Sequence, residues 1–296
     1  MKRPIVLSTL LFSLGVKGFA PSSPMVSLQQ SQRAAKSICT FDETDFAGKV
    51  GDWPYSTADL NRLDNTDDSN FYDAPRFVTH IDDSAISVLT KYYQEEFSAL
   101  NLNKIDVLDL CSSWISHLPK DIQYGEVVGV GMNAEELKAN KQLTDFFCQD
   151  LNQRPSLEQF EDNSFDVICN VVSVDYLTKP KEIFQEMYRV LRPNGVALMS
   201  FSNRCFATKA IAMWLQADDI GRLTIVGSYY HYSASWHSIE ALDLKEKQEA
   251  PKRPSTQEIF ANPALGLAWM NSAGAVAKNN AGDPMFVVKG VKRETS

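Results

Sequence analysis

Residues 163–201 read NSFDVICNVVSVDYLTKPKEIFQEMYRVLRPNGVALMSF, and this stretch decides the fold class. Two short apolar runs within it, residues 165–172 and 196–201, have the length and composition of buried strands. Between them, residues 180–191 repeat apolar side chains every three to four positions, which predicts a helix. Asn194-Gly195 ends that helix with a turn into the second strand. A strand, a helix and a strand in this order predict two parallel strands of one sheet.

The same alternation continues on both sides of this stretch. Strands are predicted at residues 105–110, 126–130 and 285–291, and helices at residues 135–140 and 208–216. The pattern predicts an α/β fold, with a mostly parallel twisted sheet and helices on both faces. We divide the body into an N-terminal extension or cap and a larger domain that contains an insertion rich in Pro, Ala, Gly and Asn. These segments are residues 42–104, residues 105–296 and, for the insertion, residues 251–282.

The composition excludes several classes of protein. The 296 residues include 29 Lys plus Arg and 37 Asp plus Glu, and 44% are hydrophobic, as in a soluble globular protein. Residues 1–41 hold five of the basic residues and no acidic one, so the rest of the chain is strongly acidic. Such a surface repels phosphates, and we expect no nucleic-acid partner. Five widely spaced cysteines and four scattered histidines predict neither a disulfide framework nor a metal site.

The first 41 residues have the composition of a targeting sequence. Lys2 and Arg3 precede an apolar run at residues 5–16, which predicts a secretory signal peptide at residues 1–18. Residues 19–41 begin Phe-Ala-Pro, are rich in Ser and Gln and lack acidic residues, as transit peptides do. This order resembles the bipartite presequence of algae with secondary plastids and implies a chloroplast location; a simple secretory protein is the alternative. No other segment has 18 consecutive apolar residues, so we expect no integral membrane association.

Five sequence blocks resemble, in order and spacing, the class I S-adenosylmethionine-dependent methyltransferases, and most closely their type 11 branch. They are Val107-Leu108-Asp109-Leu110, Val128-Gly129-Val130, Gln149-Asp150-Leu151, Asn163-Ser164-Phe165-Asp166-Val167 and Arg189-Val190-Leu191-Arg192-Pro193-Asn194-Gly195. The resemblance implies a Rossmann-like methyltransferase fold, S-adenosyl-L-methionine as the cofactor, and a site outside the carboxyl ends of the strands. It also implies methyl transfer to a small-molecule or lipid-like acceptor, whose identity the sequence leaves open.

The cofactor-binding positions that the resemblance implies follow the first four strands of the domain and include one upstream arginine. They are Asp109, Cys111, Ser112, Ser113, Gly131, Met132, Asn133, Asp150, Leu151, Asn170 and Arg76. Asp150 corresponds to the acid that accepts a hydrogen bond from the adenine amine. Two positions depart from the family, because Cys111-Ser112-Ser113 contains no glycine and Gly131 replaces the acid that binds the ribose. Asn133 or Glu135 could take over that ribose contact.

Polar and aromatic residues near the strand ends are candidates for the acceptor side. Those predicted to bind the acceptor are Tyr72, His80, Ser173, Tyr176, Asn203 and Tyr232, and Arg76 is predicted to bind the cofactor carboxylate. Asp175 and His117 are the candidate bases for an acceptor that must lose a proton. His117 could instead be a turn residue that backbone hydrogen bonds hold in place. The aromatic cluster around Tyr232 could instead pack in the core.

Two other functions stay open. One is a catalytically inactive binding or assembly protein that keeps the methyltransferase fold, because the glycines and the ribose acid are missing. The other, a dinucleotide-dependent oxidoreductase, has less support, since the sequence has no G-x-G-x-x-G and no acid at Gly131.

Overall fold

The computed structural model describes residues 35–245 and 250–294. The strands of this part form one sheet of eight, in the order β1-β7-β8-β6-β5-β2-β3-β4. They are β1 (Lys36–Phe41), β2 (Ile105–Leu110), β3 (Tyr124–Gly131), β4 (Asp145–Cys148), β5 (Phe165–Val171), β6 (Leu191–Phe201), β7 (Ser238–Asp243) and β8 (Phe286–Val291). The five strands from β4 to β6 across the sheet are mutually parallel, whereas β8 is antiparallel to both of its neighbours. The predicted α/β fold with a mostly parallel sheet is confirmed.

Helices connect the strands and cover both faces of the sheet. They are α1 (Asp68–Phe71), α2 (Asp83–Ala99), α3 (Ala134–Ala139), α4 (Pro180–Val190), α5 (Ala212–Gln216), α6 (Asp219–Ser233), α7 (Thr256–Ala261), α8 (Pro263–Asn280) and a 3-10 helix at Val174–Tyr176. Successive side chains of a strand point to opposite faces. Val107 and Val167 therefore pack in the cluster that contains the buried side of α2, while Leu108 and Ile168 pack in the cluster that contains α4 and α6.

Most predicted elements are found with small shifts: β2 has the predicted bounds, α4, β5 and β8 differ by one residue at one end, and α3 lies one residue earlier. The prediction for residues 191–195 is wrong, because β6 begins at Leu191 directly after α4. Asn194-Gly195 therefore lies within β6 and does not form the turn that ends the helix. The helix predicted at residues 208–216 is shorter, since α5 begins at Ala212. The preceding Ile211 forms an isolated antiparallel bridge with Arg62, which holds that residue in an extended conformation.

The N-terminal boundary of the folded part lies earlier than predicted. β1 falls within residues 19–41, the segment assigned to the transit-like sequence, yet it pairs with β7 along its length. The backbone hydrogen bonds of a sheet edge are the physical reason, because β7 would otherwise have one unpaired side. The signal peptide and the transit-like segment up to residue 34 lie outside the described residues.

The predicted insertion contains α7 and α8, a pair of helices between β7 and β8. Their apolar side chains are unusually exposed: Phe260 is 83% exposed, and Leu267 and Met270 are more than half exposed. No helix in the described part of the chain is both long and apolar enough to cross a membrane.

Candidate cofactor and acceptor site

A cavity of about 320 Å³ lies at the carboxyl ends of β2, β3, β5 and β6. Its walls come from the loops that follow these strands and β4, and from residues 68–82, which we call the strap. Because parallel strands of an open α/β sheet end at one edge, residues far apart in the sequence meet there. Most predicted site residues line the cavity: Tyr72, Arg76, His80, Asp109, Cys111, Ser112, Ser113, His117, Gly131, Met132, Asn133, Asp150, Leu151, Ser173 and Tyr176.

The loop after β2 is organised around Asp109. Its Oδ2 accepts hydrogen bonds from Ser112 Oγ at 2.6 Å and from Ser116 Oγ at 2.7 Å. The residue is 3% exposed, and burial raises the pKa of its carboxyl to about 6. Cys111 has a φ of 55°, a left-handed backbone that favours glycine and costs other residues roughly 1–2 kcal/mol. The loop therefore makes its tight turn without a glycine, and Asp109 holds that turn from inside the protein.

Gly131 lacks a side chain for a steric reason. A Cβ at this position would overlap the Ser112 carbonyl oxygen, because the loop after β2 packs directly on the end of β3. The Ser112 N–H donates to Val130 O at 2.9 Å and holds the two segments together. An acid at residue 131, where the resemblance places the ribose contact, does not fit this backbone.

Neither residue predicted to replace that acid is free to do so. Asn133 caps α3 with its Oδ1 and donates from Nδ2 to Tyr72 O at 2.9 Å and to Asp73 O at 3.0 Å. Glu135 is exposed and does not line the cavity. Asn133 therefore fixes the strap to α3, and we interpret it as a positioning residue.

Glu136 is the cavity carboxylate that the sequence reasoning missed. Its Oε1 accepts from the Arg76 N–H at 2.6 Å, and its Oε2 accepts from Ser113 Oγ at 2.5 Å. A Glu three residues after an N-cap usually turns back to bond the cap. Only the position of the strap shows that Glu136 turns toward the cavity instead, so no local sequence signal could have found it.

Asp150 faces the cavity with an oxygen that has no protein partner. Its Oδ1 accepts from the N–H groups of Asn152 at 2.8 Å and Gln153 at 3.3 Å. Its Oδ2 is buried and makes no hydrogen bond with the described residues. Burial, followed by the nearby Asp68, raises the pKa of this carboxyl. A buried acceptor without a donor costs free energy, so this oxygen is suited to a ligand donor.

A buried polar network anchors the strap beside Asp150. Asn152 Nδ2 donates to Asp68 Oδ2 at 3.0 Å and to Tyr176 O at 2.9 Å. Asp68 is also paired with Arg62 at 2.9 Å and with the fully buried Lys209 at 3.1 Å. The network ties together the strap, the loop after β4 and the end of β5. The sequence reasoning missed it, because these residues show no periodicity and are far apart in the chain.

Aromatic side chains form another part of the cavity wall. Tyr72, His80, Tyr176 and Phe206 line it, and the ring centroids of His80 and Phe206 are 5.4 Å apart. The Tyr176 hydroxyl accepts from the Phe206 N–H at 2.8 Å, which holds the loop after β6 against the end of β5. The predicted acceptor residues Tyr72, His80, Ser173 and Tyr176 are thus brought together, and Phe206 is an addition.

Four predicted site residues do not line the cavity, namely Tyr232, Asn203, Asn170 and the candidate base Asp175. Tyr232 is buried in α6, where its hydroxyl donates to Ala47 O at 2.5 Å, so it packs in the core as the alternative proposed. Asn203 is exposed outside the cavity wall. Asn170 is 1% exposed and donates from Nδ2 to Leu110 O at 3.2 Å, which joins β5 to β2 beneath the cavity.

In the described ranges no three His, Cys, Asp or Glu side chains come together as metal ligands.

The two candidate bases differ in position and protonation. His117 lines the cavity with a buried Nδ1 that has no partner among the described residues, and burial lowers the pKa of its ring to about 4. Asp175 does not line the cavity, is 1% exposed, and has its pKa raised by burial to about 8. Near pH 7 the imidazole is therefore neutral, and Asp175 is a neutral acid rather than a base.

Comparisons with known proteins find sequence similarity to methyltransferases. Residues 110–199 match the family model described as Methyltransferase domain. The malonyl-[acyl-carrier protein] O-methyltransferase of Marinomonas sp. (strain MWYL1) is 21% identical over 152 residues, which cover 51% of this chain and 53% of that protein. The chain thus spans about half the length of the curated relative that it matches.

Solved structures of methyltransferases show low identity to this chain. A SAM dependent methyltransferase from Archaeoglobus fulgidus is 10% identical, with a TM-score of 0.42 and coverage of 70% of this chain and 94% of that one. Phosphoethanolamine N-methyltransferase 2 of Haemonchus contortus, in complex with S-adenosyl-L-methionine, is 14% identical, with a TM-score of 0.37 and coverage of 77% and 60%. The family match and the sequence blocks within it thus make residues 110–199 similar to a methyltransferase domain of the class I, type 11 branch.

Proposed function

We propose that the protein is an S-adenosylmethionine-dependent methyltransferase that acts on a small-molecule or lipid-like acceptor. The observation that carries the proposal is the unpartnered Oδ2 of Asp150 in the cavity wall. This oxygen lies at the position where the family pattern has the acceptor for the adenine amine. An exocyclic amine would supply the missing donor, and the cavity volume is within the range of small-molecule sites.

The residues of the cavity fit the cofactor in three places. Asp150, with Leu151 beside it, would hold the adenine. Glu136, whose two oxygens already accept from the Arg76 N–H and from Ser113 Oγ, is the cavity carboxylate that would accept a further bond from the ribose in place of an acid at residue 131. Arg76 would pair with the carboxylate of the methionine part, since only its Nη2 is bonded to a described backbone oxygen, Phe71 O at 2.7 Å. When bound, S-adenosylmethionine supplies a methyl group on a positively charged sulfur.

The chain's own contribution is mainly positioning. The strap covers the cavity and is held on both sides, by Asn133 at α3 and by Asn152 at the loop after β4. A strap fixed in this way would orient the acceptor against the cofactor, which accelerates a displacement without a strong base. For an acceptor that must lose a proton, the neutral ring of His117 is the available group in the wall, and Asp175 is not.

A catalytically inactive binding protein is the second candidate, because two residues at cofactor-binding positions of the family already bind other parts of this protein. The Asp109 Oδ2 is bonded to serine hydroxyls, and Asn133 is bonded to the strap. Titration calorimetry of the full chain with S-adenosylhomocysteine and S-adenosylmethionine tests the proposal. We expect a Kd of about 1–100 µM, or roughly −7 ± 1.5 kcal/mol. Folded protein that produces no heat at millimolar ligand would exclude the methyltransferase proposal, and binding without methyl transfer to any acceptor would favour the second candidate.

A further inference from the structure

At the acceptor end of the cavity lies an arginine side chain whose hydrogen-bond donors are only partly paired. Arg204, in the loop after β6, lines the cavity and its side chain is 65% exposed. Its Nε donates to Asp283 Oδ1 at 2.7 Å, and its two terminal nitrogens have no partner among the described residues. A guanidinium presents its donors in a planar fork that suits a carboxylate or a phosphate.

The carboxylates around Arg204 are already engaged. Asp283 Oδ2 accepts from the Asp82 N–H at 3.0 Å, and Asp82 Oδ2 accepts from the Asp283 N–H at 2.6 Å. Asp82 Oδ1 caps α2 by accepting from the Ala85 N–H at 2.8 Å. This reciprocal pair holds the guanidinium in place through Nε while its other nitrogens face outward.

An apolar rim lies on the strap side of the same opening. Phe77 is 51% exposed and Val78 is 55% exposed, and Val78 lines the cavity. Trp114, from the loop after β2, also lines it; the Trp114 Nε1–H donates to Val78 O at 3.0 Å, and its ring centroid is 6.4 Å from that of Phe77. Apolar side chains that are half exposed and held in place at a cavity opening favour a ligand with an apolar part.

The cation and the rim belong to one opening. His80, two residues after Val78, contacts Phe206, two residues after Arg204. The wall between them is aromatic, and Arg76, the other cavity arginine, is stacked at 4.5 Å over Phe71 and is assigned above to the cofactor.

We propose that the acceptor is an anionic amphiphile, whose carboxylate or phosphate binds Arg204 and whose apolar body lies against Val78 and Trp114. The inference rests on the proposed function, since it names the substrate class of the same site. It predicts that charge and chain length both determine affinity. Each methylene that enters the opening is expected to strengthen binding by about three- to fourfold at most.

The test is a calorimetric titration of the full chain, with and without saturating S-adenosylhomocysteine. The probes are octanoate, hexanoate, octanol, acetate and octyl phosphate, each below its micelle concentration. We expect octanoate to bind at least about tenfold more tightly than octanol or acetate, and more tightly than hexanoate. Octyl phosphate carries a phosphate where octanoate carries a carboxylate. Whichever of the two binds more tightly indicates which anionic group the acceptor has.

Variants separate the two contacts. Arg204→Gln is expected to weaken octanoate binding at least about tenfold while leaving octanol and S-adenosylhomocysteine unchanged, with Arg204→Lys in between. Val78→Ser should remove the dependence on chain length. The matched controls are Arg293→Gln, an exposed cation elsewhere, and Phe260→Ser, an exposed apolar residue of α7. The thermal unfolding midpoint of each variant reports on its fold.

The outcomes keep the two proposals apart. The inference would be overturned if neither octanoate nor octyl phosphate bound more tightly than octanol, or if the Arg204→Gln variant kept the preference for the anion. Binding of S-adenosylhomocysteine without binding of octanoate or octyl phosphate would overturn it as well and leave the methyltransferase proposal intact. Octanoate binding that depends on Arg204, without any binding of S-adenosylhomocysteine, would support the anionic site and refute the cofactor proposal.

Discussion

Asp150→Asn separates ligand binding from folding. Asparagine keeps an oxygen for the N–H groups of Asn152 and Gln153, so the local turn stays intact. The substitution removes the charge of the unpartnered Oδ2, and losing a hydrogen bond to a charged acceptor costs about 1.5–3 kcal/mol. We therefore expect the Kd for S-adenosylhomocysteine to rise roughly 10- to 150-fold.

Although Asp150→Asn should bind the ligand more weakly, its unfolding free energy should not be lower than that of the wild type. Burial raises the pKa of the Asp150 carboxyl, which means that the ionised group is less favourable in the folded protein than in the unfolded chain. Neutral asparagine removes that penalty, so chemical unfolding without ligand at pH 7 should show equal or higher stability. The assay is a pair of measurements on one sample, calorimetric titration and urea unfolding.

Asp166→Asn is the matched control, because Asp166 lies at the start of β5, at the edge of the sheet opposite to the cavity. Its Oδ2 accepts from the Asp106 N–H at 2.9 Å and from Arg192 at 2.8 Å, at the amino end of β5 and away from the cavity. This substitution should lower stability by about 1.5–3 kcal/mol and leave ligand affinity unchanged. The reasoning is refuted by an Asp150→Asn variant whose affinity stays within about twofold of the wild type. It is equally refuted if Asp166→Asn alone removes binding.

Three further changes test other parts of the structure. Gly131→Ala should lower the thermal unfolding midpoint and ligand affinity together, because its Cβ overlaps the Ser112 carbonyl; unchanged values would show that the loop gives way. The pKa of Asp175 is about 8 in the folded protein and about 4 in the unfolded chain, so its contribution makes the unfolding free energy fall as pH rises from about 4 to about 8. Asp175→Asn should remove this contribution, which amounts to up to about 4 kcal/mol between pH 5 and pH 8. Urea unfolding at the two pH values measures it. We propose plastid delivery: residues 1–40 fused to a fluorescent protein should reach the plastid and Phe19→Ala should not, whereas cytosolic fluorescence of the intact fusion would contradict it.

Local patterns predicted the elements that have one buried face or a continuous apolar run. β2 was predicted to the residue because four of its six side chains are apolar, and α4 to within one residue because its apolar positions form a single stripe. α6 was not recognised as a helix, since Tyr229, Tyr230, His231 and Tyr232 are buried on all sides and form no stripe.

The site could be predicted only where a residue follows a recognisable strand. Asp150 was proposed from the family resemblance, and it lines the cavity. Counting from Asp109 reached Gly131 and could not show that Glu136 lines the cavity, because that depends on the strap, whose sequence has no periodic pattern. Arg204 was passed over for Asn203, because the direction of a side chain in a loop is decided by its partners, here Asp283.

The place of β1 at the sheet edge limits where the proposed presequence could be cleaved without loss of sheet pairing. Proteolysis after residue 41 would leave β7 as an edge strand with its outward N–H and C=O groups unpaired, a template for association with other chains. A cut before Lys36 keeps the edge covered by the chain's own residues. If the proposed presequence is cleaved, we therefore expect the new N-terminus to lie upstream of Lys36.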